Sequence, residues 1–225
     1  MNTMTQAQRA FIFDMDGTIV DNMAFHTKSW LEFFERRGKV YDADAFFRET
    51  AGAQGREILR ERLGSDIPDD EIAVLAQEKD ALYRDMYAPH RAAIQGFEDL
   101  VSQARERGVA LGVATSAPPQ NIVFTLDELD LRRHFDAVVG AADVKQGKPH
   151  PDVFLKAAEK LGVAPANCVV FEDAPMGVEA ARRAGMRAVV ITTTLPAEAF
   201  DEFDNVIAIV GDYDELALDA LLAGL

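Results

Sequence analysis

Short apolar runs, each about as long as a strand and separated by segments about as long as a helix, constrain this chain most. They are "AFIF" (10–13) within "RAFIFDMDGTIVDN", "VALGVAT" (109–115), "FDAVVG" (135–140), "NCVVFED" (167–173) and "MRAVVIT" (186–192). They are nearly continuous in Val, Ile, Phe and Ala, the pattern of strands buried on both faces. The intervening segments include "GFEDLVSQARERG" (96–108), ended by Gly108, "PDVFLKAAEKLG" (151–162), opened by Pro151 and ended by Gly162, and "APMGVEAARRAG" (174–185). Proline at the start and glycine past the end are helix boundaries. Strand, helix, strand, helix predicts an α/β fold with a Rossmann-like parallel sheet core and right-handed crossovers.

Between the first strand and this series lies a segment of different character. "MAFHTKSWLEFFERRG" places Phe25, Trp30, Leu31, Phe33 and Phe34 at helical spacing, and "REILRERLG" and "DDEIAVLAQEKDALYRDMY" follow as two further helices. The expected division is therefore a core of 1–21 and 91–225 with an inserted α-helical cap of 22–90. Trp30, Phe33 and Phe34 are expected in the cap's own core. The connections at Asp21-Asn22 and Pro89-His90-Arg91 leave and return near one strand end, as a hinge would.

The first strand ends on two acids, Asp14 and Asp16, followed by Gly17. A turn needs only one of them. An EF-hand calcium loop would need a third ligand before the glycine, a bidentate Glu at its twelfth position and a helix in front, and these are missing. Open α/β sheets bind ligands at the carboxyl ends of their strands. The other predicted strand ends carry Thr115 and Ser116, Lys148 in "KQGKPHPD", and Glu172 and Asp173. Acidic pairs facing one site repel unless a divalent cation lies between them, and an all-oxygen donor set favours Mg²⁺. A phosphoryl group would complete the oxygens, with Lys148 as fixed positive charge and the Thr115 hydroxyl as donor. Ser116 reads equally well as a helix-capping hydroxyl before Pro118-Pro119.

Composition narrows the partners. The 225 residues carry 38 acidic against 23 basic side chains, a net charge of −15, which disfavours binding to nucleic acid or an anionic membrane. The one cysteine, Cys168, excludes an internal disulfide and reads as a buried strand residue. The N-terminal "MNTMTQAQR" has no apolar export signal and no segment has the length of a membrane span. A cytoplasmic monomer acting on a small phosphorylated metabolite is expected.

"DMDGT", "ATS", "GKPHPD" and "VVFEDAPMG", in this order and spacing, resemble the four motifs of the haloacid dehalogenase superfamily, and the likeness runs over nearly the whole chain. "FHTKSW" and "GVEAARRAGM" resemble the branch that holds sugar-phosphate phosphatases and β-phosphoglucomutase. The resemblance implies that Asp14 is a nucleophile forming an aspartyl phosphate and that Asp16 is the acid and base. It implies Mg²⁺ held by Asp14, the Asp16 backbone carbonyl and Asp173, with Glu172 supporting. It also implies that His26 lies near substrate or hinge and that "GAQGREIL" (52–59), with Gly52 and Arg56, is the cap's specificity loop. Arg56 sits in a helix's first turn, against the macrodipole, which would be relieved by a bound anion.

Several neighbours of this chemistry fit less well. A phosphorelay receiver places its acids on different strands and has no cap. A dehalogenase replaces the second aspartate, and a phosphonatase needs a cap lysine in a context that neither Lys28 nor Lys39 provides. A pyrophosphatase of the same branch shares the core motifs. A mutase of this branch holds a distal phosphate with cap cations, and here Gly55 and Asp85 are read near two of those positions, while only Gln120 and Asn121 offer polar groups after Ala117-Pro118-Pro119. Hydrolysis of a small phosphomonoester, a sugar phosphate, is the expected activity.

Overall fold

The computed structural model describes residues 9–50 and 53–223. These residues fall into two compact units, one running to Asp21 and resuming at Ala92, the other comprising Asn22–Arg91. Arg91 groups with the helical unit, one residue past the boundary read from the sequence.

The chain opens with β1 (Ala10–Phe13) and passes to the helical unit, made of α1 (Met23–Glu35), α2 (Ala43–Thr50), α3 (Gly55–Leu63) and α4 (Asp69–Tyr87). It returns through α5 (Phe97–Glu106), β2 (Ala110–Ala114) and α6 (Pro119–Ile122), which runs into a π-helical turn over Val123–Asp127. Then follow β3 (Ala137–Val139), α7 (Asp152–Leu161), β4 (Cys168–Glu172), α8 (Pro175–Arg183), β5 (Arg187–Ile191), β6 (Val206–Val210) and α9 (Leu218–Ala223). All strand pairs in the sheet are parallel, in the order β3-β2-β1-β4-β5-β6. The fold is thus α/β with a Rossmann-like parallel core and inserted helices.

The pleat divides β1 between two faces. Ala10 and Ile12 join Val170, Ala188, Val190 and the inward residues of α7 and α8, including Phe154, Ala157 and Ala181. Phe11 and Phe13 face the opposite layer, where Phe13 stacks on Phe171 with ring centres 4.4 Å apart and meets Phe97 edge-on at 5.4 Å. A strand covered on both sides must be apolar throughout, which is why the sequence showed runs rather than alternation.

Four elements escaped the sequence reading, the last of them the terminal helix α9. β6 has no helix-length segment before it, only a single turn over Ala197–Phe200, and as an edge strand it leaves Ile207 and Ile209 partly exposed. The helix α2 is only eight residues long; its start is marked by Asp42, whose carboxylate accepts from Ala45 N at 2.9 Å. The third, α6 with its π turn, begins at Pro119 itself, with Pro118 in the N-cap position.

The helical unit has its own core. Trp30, Phe33, Phe34, Phe46, Ile58, Leu59 and Ile72 are buried together, with Trp30 stacked on Phe34 at 5.6 Å. Among the described residues no helix is long and apolar enough to cross a membrane.

Candidate active site

The central position of β1 puts its carboxyl end between those of β2 and β4. Asp14 extends the ladder one residue beyond the strand, its N–H donating to Phe171 O at 2.9 Å, so its side chain is fixed by the sheet. The chain then turns sharply: Gly17 has φ +81°, and a Cβ there would stand 2.1 Å from Asp173 Oδ2. Only glycine permits both the backbone and the approach.

Lys148, from the loop before α7, is buried and bridges two strands. Its ammonium donates to Asp14 Oδ1 at 2.5 Å and to Glu172 Oε1 at 2.6 Å. The second oxygen of Glu172 accepts from the N–H groups of Asp173 (3.0 Å) and Ala174 (3.2 Å). Glu172 therefore ties the lysine to the turn after β4. Asp173 is held by hydroxyls: Thr18 Oγ1 donates to Oδ1 at 3.3 Å and Thr194 Oγ1 donates to Oδ2.

Asp14, Glu172 and Asp173 are all buried, each offering an oxygen within 4.8 Å of the others. Burial, the largest influence, pushes the Asp14 carboxyl up to about 7; Lys148 opposes this, and the charges of Glu172 and Asp16 add to it. Burial, then the charges of Glu172 and Asp14, raise Asp173 well above the usual carboxylate range. Burial works against the Lys148 charge, but Asp14 and Glu172 more than offset it and hold the ammonium above the ordinary lysine value. Three crowded carboxylates and one ammonium leave excess negative charge in an all-oxygen setting. That donor set fits a hard divalent cation.

Four converging carboxylates were expected, and the described structure brings three together. The half-buried Asp16 side chain is outside the cluster. Thr115, at the end of β2, is buried, and its oxygen accepts from Ala117 N at 3.1 Å, which leaves the hydroxyl proton to donate elsewhere. That bond closes a local turn before α6, whereas Pro118 caps the helix. Ser116 lies partly buried beside it. Burial pushes the Cys168 thiol up to about 12, consistent with an inert strand residue.

In the helical unit, His26 lies with Nδ1 2.9 Å from the Lys79 ammonium and its ring stacked on Tyr83, centres 3.8 Å apart. Lysine has only donors, so this contact requires Nδ1 as the acceptor. Lys79 is 3% exposed, 3.4 Å from Asp80 Oδ1 and 4.7 Å from the Trp30 ring. The buried cap cation is thus Lys79, six residues before the exposed Asp85 that the sequence reading set near that place. Sequence reasoning missed it because a lysine in a charge-rich helix reads as solvated. The helix-dipole argument for an anion at Arg56 does not carry over. Glu57, in the same first turn, already supplies negative charge and closes a capping box with Gln54, and Arg56 is exposed. Gly52 lies outside the described residues.

A central strand ending on a lysine-bridged acid cluster, in a parallel α/β sheet with an inserted helical unit, defines a class of hydrolytic enzymes. The chain belongs to the haloacid dehalogenase-like hydrolases, whose family pattern matches residues 8–185, and within them to the enzymes of phosphatase type. It is 34% identical over 193 residues to validoxylamine A 7'-phosphate phosphatase of Streptomyces hygroscopicus subsp. limoneus, covering 86% of this chain and 90% of the relative. It is 37% identical over 186 residues to fructose-1-phosphate phosphatase YqaB of Escherichia coli, covering 83% and 97%. A haloacid dehalogenase hydrolase of family IA, variant 3, from Entamoeba histolytica superposes with TM-score 0.88 at 25% identity, over 96% of this chain and 98% of the other.

Proposed function

We propose that this enzyme hydrolyses a small sugar phosphate through an aspartyl phosphate on Asp14, with Mg²⁺ as cofactor. The observation that carries the reading is the Lys148 ammonium seated on both Asp14 and Glu172 at the end of the central strand. A lysine there offsets the charge of the attacking carboxylate and of the phosphoryl oxygens it approaches. Two similar proteins act on fructose 1-phosphate and on validoxylamine A 7'-phosphate, which supports a small phosphorylated substrate.

In this account an Asp14 oxygen forms a bond to phosphorus while the ester P–O bond breaks, and Asp16 gives its proton to the departing alkoxide. Asp16 then takes a proton from water as that water attacks phosphorus, the Asp14–phosphorus bond breaks, and inorganic phosphate and the Asp14 carboxylate are released. Thr115 and Ser116 donate to phosphoryl oxygens. His26, Arg56 and Gly52 are assigned to substrate selection by the cap, Arg56 on the family resemblance of its loop alone and not on the helix dipole. Asp14, the Asp16 carbonyl and Asp173 would hold Mg²⁺, with Glu172 supporting. When bound, the cation supplies Lewis-acid stabilisation of charge on the phosphoryl group.

The buried Lys79 favours a second reading, phosphosugar mutation, because a cap cation of that kind holds a distal phosphate in the mutases this chain resembles. One experiment separates the two. Incubation with Mg²⁺ and a panel of sugar phosphates, nucleotides and pyrophosphate is expected to release phosphate from small sugar phosphates and to stop in excess chelator. With β-glucose 1-phosphate and a trace of glucose 1,6-bisphosphate, phosphate should appear and glucose 6-phosphate should not. Turnover in excess chelator contradicts the cation; rapid glucose 6-phosphate formation without phosphate release moves the enzyme to the mutases.

A further inference from the structure

The TTT run at 192–194 and Tyr213 have no part in the four motifs, yet Thr194 places its hydroxyl on the acid cluster, and Thr193 and Tyr213 place theirs on the loop after β1 that adjoins it. Thr194 Oγ1 donates to Asp173 Oδ2, and Thr193 Oγ1 donates to the carbonyl of Gly17. On the other side Thr18 Oγ1 donates to Asp173 Oδ1, and the carbonyl of Thr18 accepts from the Tyr213 hydroxyl at 2.8 Å. Both carboxylate oxygens of Asp173 are therefore held by a hydroxyl. One of these donors follows β5, and the other belongs to the loop after β1.

Tyr213 is well placed to anchor that loop. It is 2% exposed, its ring packs against Phe97 at 5.3 Å and Phe171 at 6.0 Å, and its N–H donates to Gln95 O at 3.1 Å. Gln95 Nε2 in turn donates to Asp214 Oδ2 at 2.7 Å. Gly96 makes the approach possible: it has φ +77°, and a Cβ there would lie 2.6 Å from Asp214 N. Three separate chain segments thus meet around the Asp14–Thr18 loop.

We propose that Thr194 and Tyr213 are positioning residues that clamp Asp173 for a divalent cation. Hydrogen bonds to a ligating carboxylate fix its orientation and leave its remaining lone pairs aimed at the metal. Asp173 needs such support more than Glu172 does, because Lys148 reaches Glu172 directly. Thr194 acts on the carboxylate itself; Tyr213 acts one bond further back, through Thr18.

The inference depends on the cation reading above, and its test separates the two. Mg²⁺ binding to the whole metal-free protein is measured by titration calorimetry for the wild type, Thr194→Val, Thr194→Ser and Tyr213→Phe, with folding checked by circular dichroism. Thr194→Val should weaken Mg²⁺ binding by about 10- to 100-fold, the range typical of lost outer contacts to a metal ligand. Thr194→Ser should restore most of it, and Tyr213→Phe should weaken it by a smaller factor. Folded Thr194→Val and Tyr213→Phe proteins with wild-type Mg²⁺ affinity, even at a lower melting temperature, overturn the clamp and leave the cation reading standing. No Mg²⁺ binding by the wild type overturns both.

Discussion

A methyl group at Gly177, in the first turns of α8, would stand 1.8 Å from Glu172 Oε1, inside any permissible contact. Gly177→Ala must therefore push Glu172 away from Lys148 and loosen the ammonium's hold on Asp14. Phosphatase activity should fall by at least about 100-fold, on the scale of removing one electrostatic stabiliser from an active site. Gly108→Ala is the control: it has φ +74° but open space around it, so it should cost only about 1–2 kcal/mol of left-handed strain and keep its activity. Steady-state turnover and urea unfolding of both variants check this. At this scale the sequence announced Asp14, Asp16, Thr115, Lys148, Glu172 and Asp173, because charged and hydroxyl side chains at the ends of apolar runs have few structural reasons to be there. It did not announce Thr194 or Tyr213. Their hydroxyls matter only through contacts with residues 21 and 195 positions away in the chain.

Element by element, strands covered on both faces and helices bounded by proline and glycine were legible, since burial and capping impose their signatures locally. β6 was not, although Val206–Val210 is itself a continuous apolar run, because only the single turn Ala197–Phe200 and no crossover helix stands before it. The burial of Lys79 was equally invisible, being the product of packing between α1 and α4. The helical unit nonetheless has a core of its own, and Phe34 within it is fully buried between Trp30, Phe33 and Phe46. Phe34→Ala should destabilise that unit by about 3–5 kcal/mol. Mg²⁺ affinity should be unchanged, since the acid cluster is built wholly from the other unit. Denaturant unfolding followed by Trp30 fluorescence, alongside calorimetric Mg²⁺ titration, tests both halves of this expectation.

For the whole molecule, the crowded carboxylates couple stability to pH and to the cation. Asp14 titrates near 7 when folded and near 3.8 as an ordinary aspartate, and Asp173 is shifted the same way. Between those values the folded metal-free protein binds more protons than the unfolded chain, so its stability falls as pH rises through that window. The raised Lys148 stays charged throughout and contributes no slope there. A cation relieves the repulsion where the carboxylates are ionised, so the Mg²⁺-induced rise in melting temperature should be larger at about pH 8 than at about pH 5. Equal rises, seen by differential scanning calorimetry, would count against the assignment of these acids to the metal. The central claim, that the phosphoryl group passes through Asp14, is tested most directly by acid-quenching the Asp16→Asn variant during turnover of a sugar phosphate and mapping its peptides by mass spectrometry. The account predicts a phosphoryl group on Asp14 that is absent without Mg²⁺. An unmodified Asp14 in a variant still releasing phosphate, together with near-normal turnover by Asp14→Asn, would contradict it.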